Sequence, residues 1–346
     1  MKIVITGGAG FLGLHLATYL SKKNHNLTLL DIASFDKKEY SKDCNLAICD
    51  VRDGKNLRNI IKNQDIIIHA AAALPLWRKE DIYSTNVDGT KNILNLAFKF
   101  KIKRVVFISS TAVYGIPKKH PIVETDPRVG VGAYGESKIM AEDLCFSAIR
   151  KGQPVTIIRP KTFVGIGRLG VFEILFDWIH DGKKIPVIGS GKNRYQLLDV
   201  DDLVKAVDLF CSSNKKSYNG AFNIGAEKFD TVGEDLQKVF NVAKSGSAIF
   251  RTPAYPIKKA LWIFEKLNLS PLYQWVYDTA DKDSFVSIEK IKKILNWKPK
   301  YSNAKALIKA YAWYLKNYKE IKSKKSGITH TAGWKQGILQ VFKKLL

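Results

Sequence analysis

The segment KIVITGGAGFLGLHLATYLSKKNHNLTLLD, residues 2–31, constrains this chain more than any other stretch. Ile3, Val4 and Ile5 form a short apolar run, as a buried parallel strand requires. Gly7, Gly10 and Gly13 follow, and Gly8 completes a G-x-G-x-x-G. A helix is predicted from about Phe11 to Lys23, with Leu12, Leu16 and Leu20 spaced to pack on a sheet. The next strand, LTLLD, ends in Asp31. Three glycines alone say little. Here they follow a strand, open a helix and precede an acid at the end of the next strand, which is the dinucleotide-binding context. Glycine lets the backbone approach a pyrophosphate, and the helix start at Phe11 and Leu12 supplies N–H groups and a positive dipole end. Asp31 would accept hydrogen bonds from the adenosine ribose and repel a 2′-phosphate, so NAD is expected rather than NADP.

Further strand–helix units follow. NLAICDV (45–51) reads as a strand whose end offers Asp50 and Val51 to the adenine. DIIIHAAA (65–72) is an apolar strand ending in small residues, and Ala70 and Ala71 would let the cofactor lie against it. A long helix is predicted over 84–100, with Asn86 near its start as a further cofactor residue. KRVVFISSTAVYG (103–115) reads as a strand ending in a Ser/Thr cluster. This alternation predicts an α/β fold, a Rossmann-type doubly wound parallel sheet.

Residues 133–143, AYGESKIMAED, carry Tyr134 and Lys138 four apart in the first turns of a predicted helix, hence on one face. A free tyrosine has a pKa of about 10. A neighbouring ammonium and a positive nicotinamide ring would favour its phenolate, but the spacing alone leaves open whether this is a solvated surface pair or a tuned acid–base unit.

Composition bounds the class. The 346 residues are 46% hydrophobic and 25% charged, enough for a substantial core. Cys44, Cys49, Cys145 and Cys211 form no C-x-x-C pair, so reduced cysteines in a cytoplasmic protein are expected. MKIVIT lacks the pattern of a secretory leader, and no long uncharged apolar window predicts a spanning helix. The net charge is +24, and residues 251–346 hold 20 Lys+Arg against 6 Asp+Glu. That basic quarter points to an anionic partner or to solvated helix faces. No nucleic-acid motif accompanies it, so no nucleic-acid partner is expected.

In order along the chain, TGGAGFLG (6–13), Asp31, CDV (49–51), HAAA (69–72), NVDGT (86–90), ISSTAVYG (108–115), YGESK (134–138), IIRP (157–160) and DVDDLV (199–204) resemble the extended short-chain dehydrogenases/reductases, the NAD-dependent epimerase/dehydratase family. LNWKPKYS (295–302) resembles that family's late motif. The resemblance implies that Tyr134 is the catalytic acid/base, that Lys138 supports it and binds the nicotinamide ribose, and that Ser110 hydrogen-bonds the substrate hydroxyl. It also implies NAD as cofactor and hydride transfer from a carbinol as the first step.

Dehydratases of this family carry an Asp-Glu pair where this chain has Thr111 and Ala112, which argues against a 4,6-dehydratase. Sugar 4-epimerases have small or hydroxylic residues there, so an epimerase is expected. A dehydrogenase of a hydrophobic alcohol, of hydroxysteroid type, is the alternative. A non-catalytic NAD-sensing or nucleic-acid-binding protein is a third and weaker reading. Nucleotide-sugar epimerases have an Asn where Thr162 stands. Their diphosphate-gripping Arg falls by count on Tyr195, with Arg194 one position away. Thr111, Thr162, Arg168 and Arg194 are the substrate-side candidates.

The stretch 253–277 reads as two short amphipathic helices with a turn at Ser270-Pro271. In the terminal TAGWKQGILQVFKKLL, Trp334, Ile338, Val341, Phe342 and Leu345 recur at helical spacing beside lysines. Peripheral contact with an anionic membrane is expected ahead of packing on the protein. These features resemble, more loosely, family members acting on sugars linked to polyprenyl diphosphate. The expected organisation is an NAD-binding domain over 1–160 plus 194–226, and a smaller, mostly helical substrate domain over 161–193 plus 227–318. A basic linker and amphipathic helix over 319–346 complete it. By analogy, the helices at 84–100 and 134–150 could form a homodimer.

Overall fold

Seven parallel strands form the central sheet of the computed structural model, which describes residues 1–267, 269, 270, 272, 274–323, 327, 329 and 331–346. The strands of the chain are β1 (Lys2–Thr6), β2 (Asn26–Asp31), β3 (Asn45–Ile48), β4 (Ile66–His69), β5 (Arg104–Ile108), β6 (Val155–Pro160), β7 (Phe163–Val164), β8 (Ile185–Ile188), β9 (Leu198–Asp199), β10 (Gly220–Ile224) and β11 (Ile249–Thr252). The central order is β10-β6-β5-β4-β1-β2-β3, parallel throughout. β7 pairs with β9, and β8 with β11, in two small parallel sheets.

β4, β5 and β6 are buried along their whole length, because helices cover both faces and every side chain meets a core. Alternate residues of β1 serve different cores. Ile3 and Ile5 pack with Leu16, Leu20, Leu203 and Val207 on one face. Val4 packs with Leu57, Ile93 and Ala97 on the other. The strand order reverses between β1 and β4, so the loops at their carboxyl ends part to open a crevice. A third apolar cluster joins the helices Val171–His180, Val232–Ala243 and Asn303–Lys316, where the Phe176 ring lies 5.6 Å from that of Tyr311.

Two local departures from the sequence reading affect the site. The strand expected over 103–115 stops at Ile108, and Ser110 caps a tight 3₁₀ turn, Thr111–Tyr114, by accepting from the Ala112 N–H. The helix expected over 84–100 begins as one π-helical turn, Ser84–Asp88, before Gly89–Lys99. That widened turn swings the buried Asn86 inward. Residues of the segment 286–297 pack with the sheet's core, not with the third cluster, and Lys290 donates to the Ala221 carbonyl of β10 at 2.7 Å.

The two helices expected within 253–277 are present as Ala254–Lys266 and Gln274–Thr279. Of the turn expected between them, Pro271 lies outside the described residues, as do Lys324, Lys325 and Ser326 of the basic linker. The membrane-facing stripe expected at the C-terminus is divided. Trp334 is buried and meets Gly170, whose added Cβ would stand 3.0 Å from the indole. Lys343, expected beside the stripe, turns inward to Asp177 and Asp181, 2.6 Å from each. The alternative, packing on the protein, therefore describes this end of the tail, because the buried Asp177 of the helix Val171–His180 and Asp181 just beyond it attract its lysine. Val341, Phe342 and Leu345 are exposed on the helix Ile338–Leu345. No helix among the described residues is long and apolar enough to cross a membrane.

Candidate active site

The glycine turn after β1 is tight enough to exclude side chains. Gly7 has φ +74°, and a Cβ there would lie 2.8 Å from the Ala71 nitrogen. A Cβ on Gly13 would lie 2.2 Å from the Gly7 carbonyl oxygen. Gly10 then opens the helix Phe11–Ser21 with no side-chain cap and no acid in its first turn. Its leading N–H groups and positive dipole end face the crevice. Asp31 is fixed at the end of β2 by two backbone donors, Ala9 N–H to Oδ2 and Ala33 N–H to Oδ1, each 3.0 Å.

These groups line a cavity of about 580 Å³. Gly7, Gly10, Phe11, Leu12, Gly13, Asp31, Asp50, Val51, Ala70, Ala71, Tyr134 and Lys138, all expected at a cofactor, are among its walls. Asp50 is also paired with Arg52 at 2.6 Å, which holds its carboxyl below the usual range. Asn86 is absent from that lining. It accepts from the Ala73 N–H at 2.9 Å and donates to the Ala73 carbonyl and to Ser137 Oγ. Asn86 therefore clamps the β4 loop to the Tyr134 helix instead of facing the cavity.

Beneath it runs a directed chain. Ala71 N–H donates to Thr6 Oγ1 at 3.1 Å, which donates to His69 Nδ1 at 2.7 Å. Thr90 Oγ1 gives its proton to the Asn86 carbonyl at 2.7 Å, so it accepts from His69 Nε2–H at 3.0 Å. Burial holds His69 neutral, with its pKa lowered to about 3. The chain fixes the small-residue loop against which a flat ligand can lie.

A second cavity of about 260 Å³ adjoins the first, and Tyr134, Leu74, Ser109 and Phe163 line both. Tyr134 stands near the start of the helix Gly132–Arg150, and Lys138 follows one turn on. Lys138 Nζ donates to the Ile108 carbonyl at 3.1 Å and lies 5.9 Å from the centre of the Tyr134 ring. Tyr134, which carries the hydroxyl, is half-buried and lines both cavities. Burial pushes that hydroxyl up to about 12, opposed by a hydrogen bond with Ser110 and by the charge of Arg168. Burial likewise lowers Lys138 to about 8, opposed by Glu142. Glu142 is gripped by Arg159, Nε to Oε1 at 2.8 Å and a terminal nitrogen to Oε2 at 2.7 Å.

On the substrate side, Thr111, Thr162 and Arg168 line the smaller cavity. Thr111 Oγ1 donates to the Pro160 carbonyl at 3.3 Å, and Thr162 Oγ1 lies 3.5 Å from the Tyr195 hydroxyl. The Arg168 guanidinium stacks 5.3 Å from both the Phe11 and Phe163 rings. Arg194 is brought to neither cavity. It lies between the rings of Phe229 and Phe285, at 4.7 and 5.0 Å. The register count that nominated it could not see those two aromatics.

Sequence reasoning passed over Lys161, which follows β6 and lines the smaller cavity with its side chain almost fully buried. The only signal was its place next to Thr162 in RPKT. Ser109 was also missed. It donates to Glu142 Oε1 at 2.6 Å beside the Ser110 it precedes.

A doubly wound sheet with a glycine cradle and a Tyr-Lys helix at its switch point defines a dinucleotide-binding α/β enzyme. The sequence matches the NAD dependent epimerase/dehydratase family over residues 3–225, and the chain belongs to that family. An uncharacterized protein of Sinorhizobium fredii is 34% identical over 342 residues, covering 97% of this chain and 84% of that protein. A UDP-N-acetyl-alpha-D-glucosaminuronate decarboxylase of Bacillus cytotoxicus is 31% identical over 272 residues, covering 73% of this chain and 83% of that enzyme. Among solved structures, the UDP-glucose 4-epimerase of Thermotoga maritima with UDP-glucose superposes with a TM-score of 0.76. It covers 92% of this chain and 100% of its own, at 22% identity, a likeness of fold.

Proposed function

We propose that this enzyme is an NAD-dependent sugar epimerase that inverts a ring carbon, the 4-position, of a nucleotide-linked or lipid-linked sugar. The observation that carries the reading is the position of the Tyr134 ring at the junction of two adjoining cavities, with Ser110 on the substrate side and Lys138 on the cofactor side. NAD fits the larger cavity, because the turn of Gly7 and Gly13 is packed too closely on backbone to take any Cβ and so lines that cavity with bare main chain. The glycine turn and helix start would hold the pyrophosphate, Asp31 the adenosine ribose, and Lys138 the nicotinamide ribose. Bound NAD would accept and return the carbinol hydride.

The protein's own share is proton handling and orientation. Tyr134 takes the proton of the reacting hydroxyl and later restores it, while Ser110 hydrogen-bonds the oxygen as it becomes a carbonyl. Lys138 favours the phenolate through its charge. Thr111 and Ala112 supply no carboxylic acid at the position where the family's dehydratases protonate a leaving hydroxyl, which supports epimerisation over elimination. Arg168, held over two aromatic rings at the cavity wall, is suited to a phosphate of the carrier. Residues 1–160 with 194–226 are taken as the cofactor-binding unit, and 161–193 with 227–318 as the substrate side. Exposed Phe98 and Met140, on the helices Gly89–Lys99 and Gly132–Arg150, support pairing of two copies through those helices.

The test is to measure NAD retained after gel filtration and then to incubate the protein with paired 4-epimeric sugar nucleotides and lipid-linked sugars. Interconversion of a pair without net NADH is the expected result. A ketone accumulating with free NADH would overturn it in favour of a dehydrogenase of a hydrophobic alcohol.

A further inference from the structure

We propose that the C-terminal tail is a strap over the bound cofactor, and that Thr329 and Thr331 contact NAD and hold it in the site between turnovers. The inference goes beyond the epimerase reading, because it concerns the cofactor alone and applies to either hydride-transfer chemistry.

Every wall of the larger cavity comes from residues up to Phe163, save two: Thr329 and Thr331. Both lie outside residues 3–225, the part of the chain that matches the family. They share the cavity with Gly10, Phe11 and Phe163, so a dinucleotide filling it would lie against them. The anchoring of the tail says which part of the dinucleotide. The Phe11 ring, at the start of the helix Phe11–Ser21, stacks 5.9 Å from that of Phe163. His15 Nε2, one turn on, lies 2.8 Å from the Ile166 carbonyl oxygen. The loop after β7 thus leans on the helix whose N-terminus would hold the pyrophosphate. The tail hangs on the end of that loop, where Gly170 N–H donates to the Ala332 carbonyl at 3.3 Å. It therefore meets the cavity on the pyrophosphate side.

The tail is built into this place. Trp334 is 7% exposed, and its indole N–H donates to the Thr329 carbonyl at 3.1 Å. Gly333 runs so close to Glu173 that a Cβ would stand 2.5 Å from its Oε2. Gln336 accepts from the Trp178 indole N–H at 3.1 Å and donates to Asp177 Oδ2 at 2.7 Å. These anchors lie on the helix Val171–His180, so the tail is fixed from the substrate side and reaches the cofactor cavity with its threonines. Their hydroxyl oxygens lie 3.2 Å apart, and both residues are exposed. One hydroxyl proton is used between the two. The other proton and the remaining lone pairs can serve a ligand. A hydroxyl donating to a phosphate oxygen makes a charge-assisted bond, stronger than one between neutral groups.

The experiment follows labelled NAD leaving the loaded, full-length protein during a chase with excess unlabelled NAD. Thr329→Val combined with Thr331→Val removes both hydroxyls and keeps the side-chain shape. Trp334→Ala frees the tail from Gly170 and from the Thr329 carbonyl. Loss of a hydrogen bond to a charged oxygen predicts release about tenfold or more faster in the double variant, and at least as fast in Trp334→Ala. Thermal unfolding of the cofactor-free double variant should match the parent, since both side chains are exposed. In the parent, amide hydrogen exchange over residues 331–336 should slow when NAD is added. That measurement needs no substitution and decides the matter with the double variant if Trp334→Ala does not fold. Unchanged release in the double variant would overturn the proposal, as would tail exchange indifferent to NAD. Faster release accompanied by a lower unfolding temperature of the cofactor-free double variant would mean a packing role, and would overturn it too.

Discussion

Lys138 Nζ is tied to the Ile108 carbonyl at 3.1 Å while lying 5.9 Å from the centre of the Tyr134 ring, so the amine is held at a fixed place beside the tyrosine. Burial works against both ionised forms, raising Tyr134 to about 12 and lowering Lys138 to about 8. A phenolate is favoured by the neighbouring ammonium, and turnover requires it as proton acceptor. The rate should therefore climb as pH rises on the acid side of the profile. Removing the charge in Lys138→Met raises the tyrosine further, so the climb moves to higher pH, by about one unit or more. Profiles of kcat/KM from about pH 6 to pH 10 check this. An unmoved profile would assign the ionisation to another group.

Replacing Tyr134 by Phe removes the proton relay and leaves the ring that separates the two cavities. Turnover should fall by about 10²- to 10⁴-fold, with NAD content unchanged. The measurement is substrate-dependent conversion alongside cofactor released on denaturation. Undiminished turnover would take Tyr134 out of the mechanism.

What could be read in the sequence is what the backbone makes local. The glycine turn, Asp31 and the Tyr134–Lys138 pair each sit in a short local motif, and the ordered set of motifs, by its resemblance to a family, pointed to their place at the sheet's carboxyl edge. Residues whose surroundings arrive from distant segments were not legible. Lys161 meets Ser284 across 123 positions, and nothing in RPKT announces a buried amine. Lys343 looked like a headgroup contact because Asp177, its partner 166 positions away, leaves no mark in the terminal helix. Arg194 failed for a related reason. A count along a loop fixes a residue's order and leaves its direction to Phe229 and Phe285. Asn86 was found by its motif, but the widened helical turn that aims it at Ala73 has no sequence period.

Gly13 tests the cradle itself. A Cβ there would meet the Gly7 oxygen at 2.2 Å and Gly8 at 2.7 Å, all backbone, so the turn must open. Gly13→Ala should lose retained NAD and destabilise the cofactor-free protein by about 1–3 kcal/mol. Denaturant unfolding and cofactor content measure the two effects separately. Full NAD retention in this variant would mean that the pyrophosphate lies elsewhere.

Glu142 lies two turns beyond Tyr134 on the same helix and joins the catalytic face to the sheet. It accepts from Arg159 on both oxygens, from Ser109 at 2.6 Å and from Arg128 at 3.2 Å. Arg159 in turn donates to the Tyr114 hydroxyl at 2.6 Å, which donates to Asn223 at 2.7 Å. Both members of the central ion pair are buried, at 1% and 0% exposure, so neutralising one strands the other. Glu142→Gln should destabilise the fold by about 3–5 kcal/mol, because the Arg159 charge has no water to return to. The same change withdraws the negative charge that raises Lys138, so the ammonium should release its proton at lower pH than in the parent. Two readouts separate these effects. Thermal unfolding reports the stranded arginine, and the alkaline limb of the kcat/KM profile, where loss of the Lys138 charge weakens turnover, should move to lower pH. A stability loss with an unmoved alkaline limb would confine Glu142 to holding the helix on the sheet.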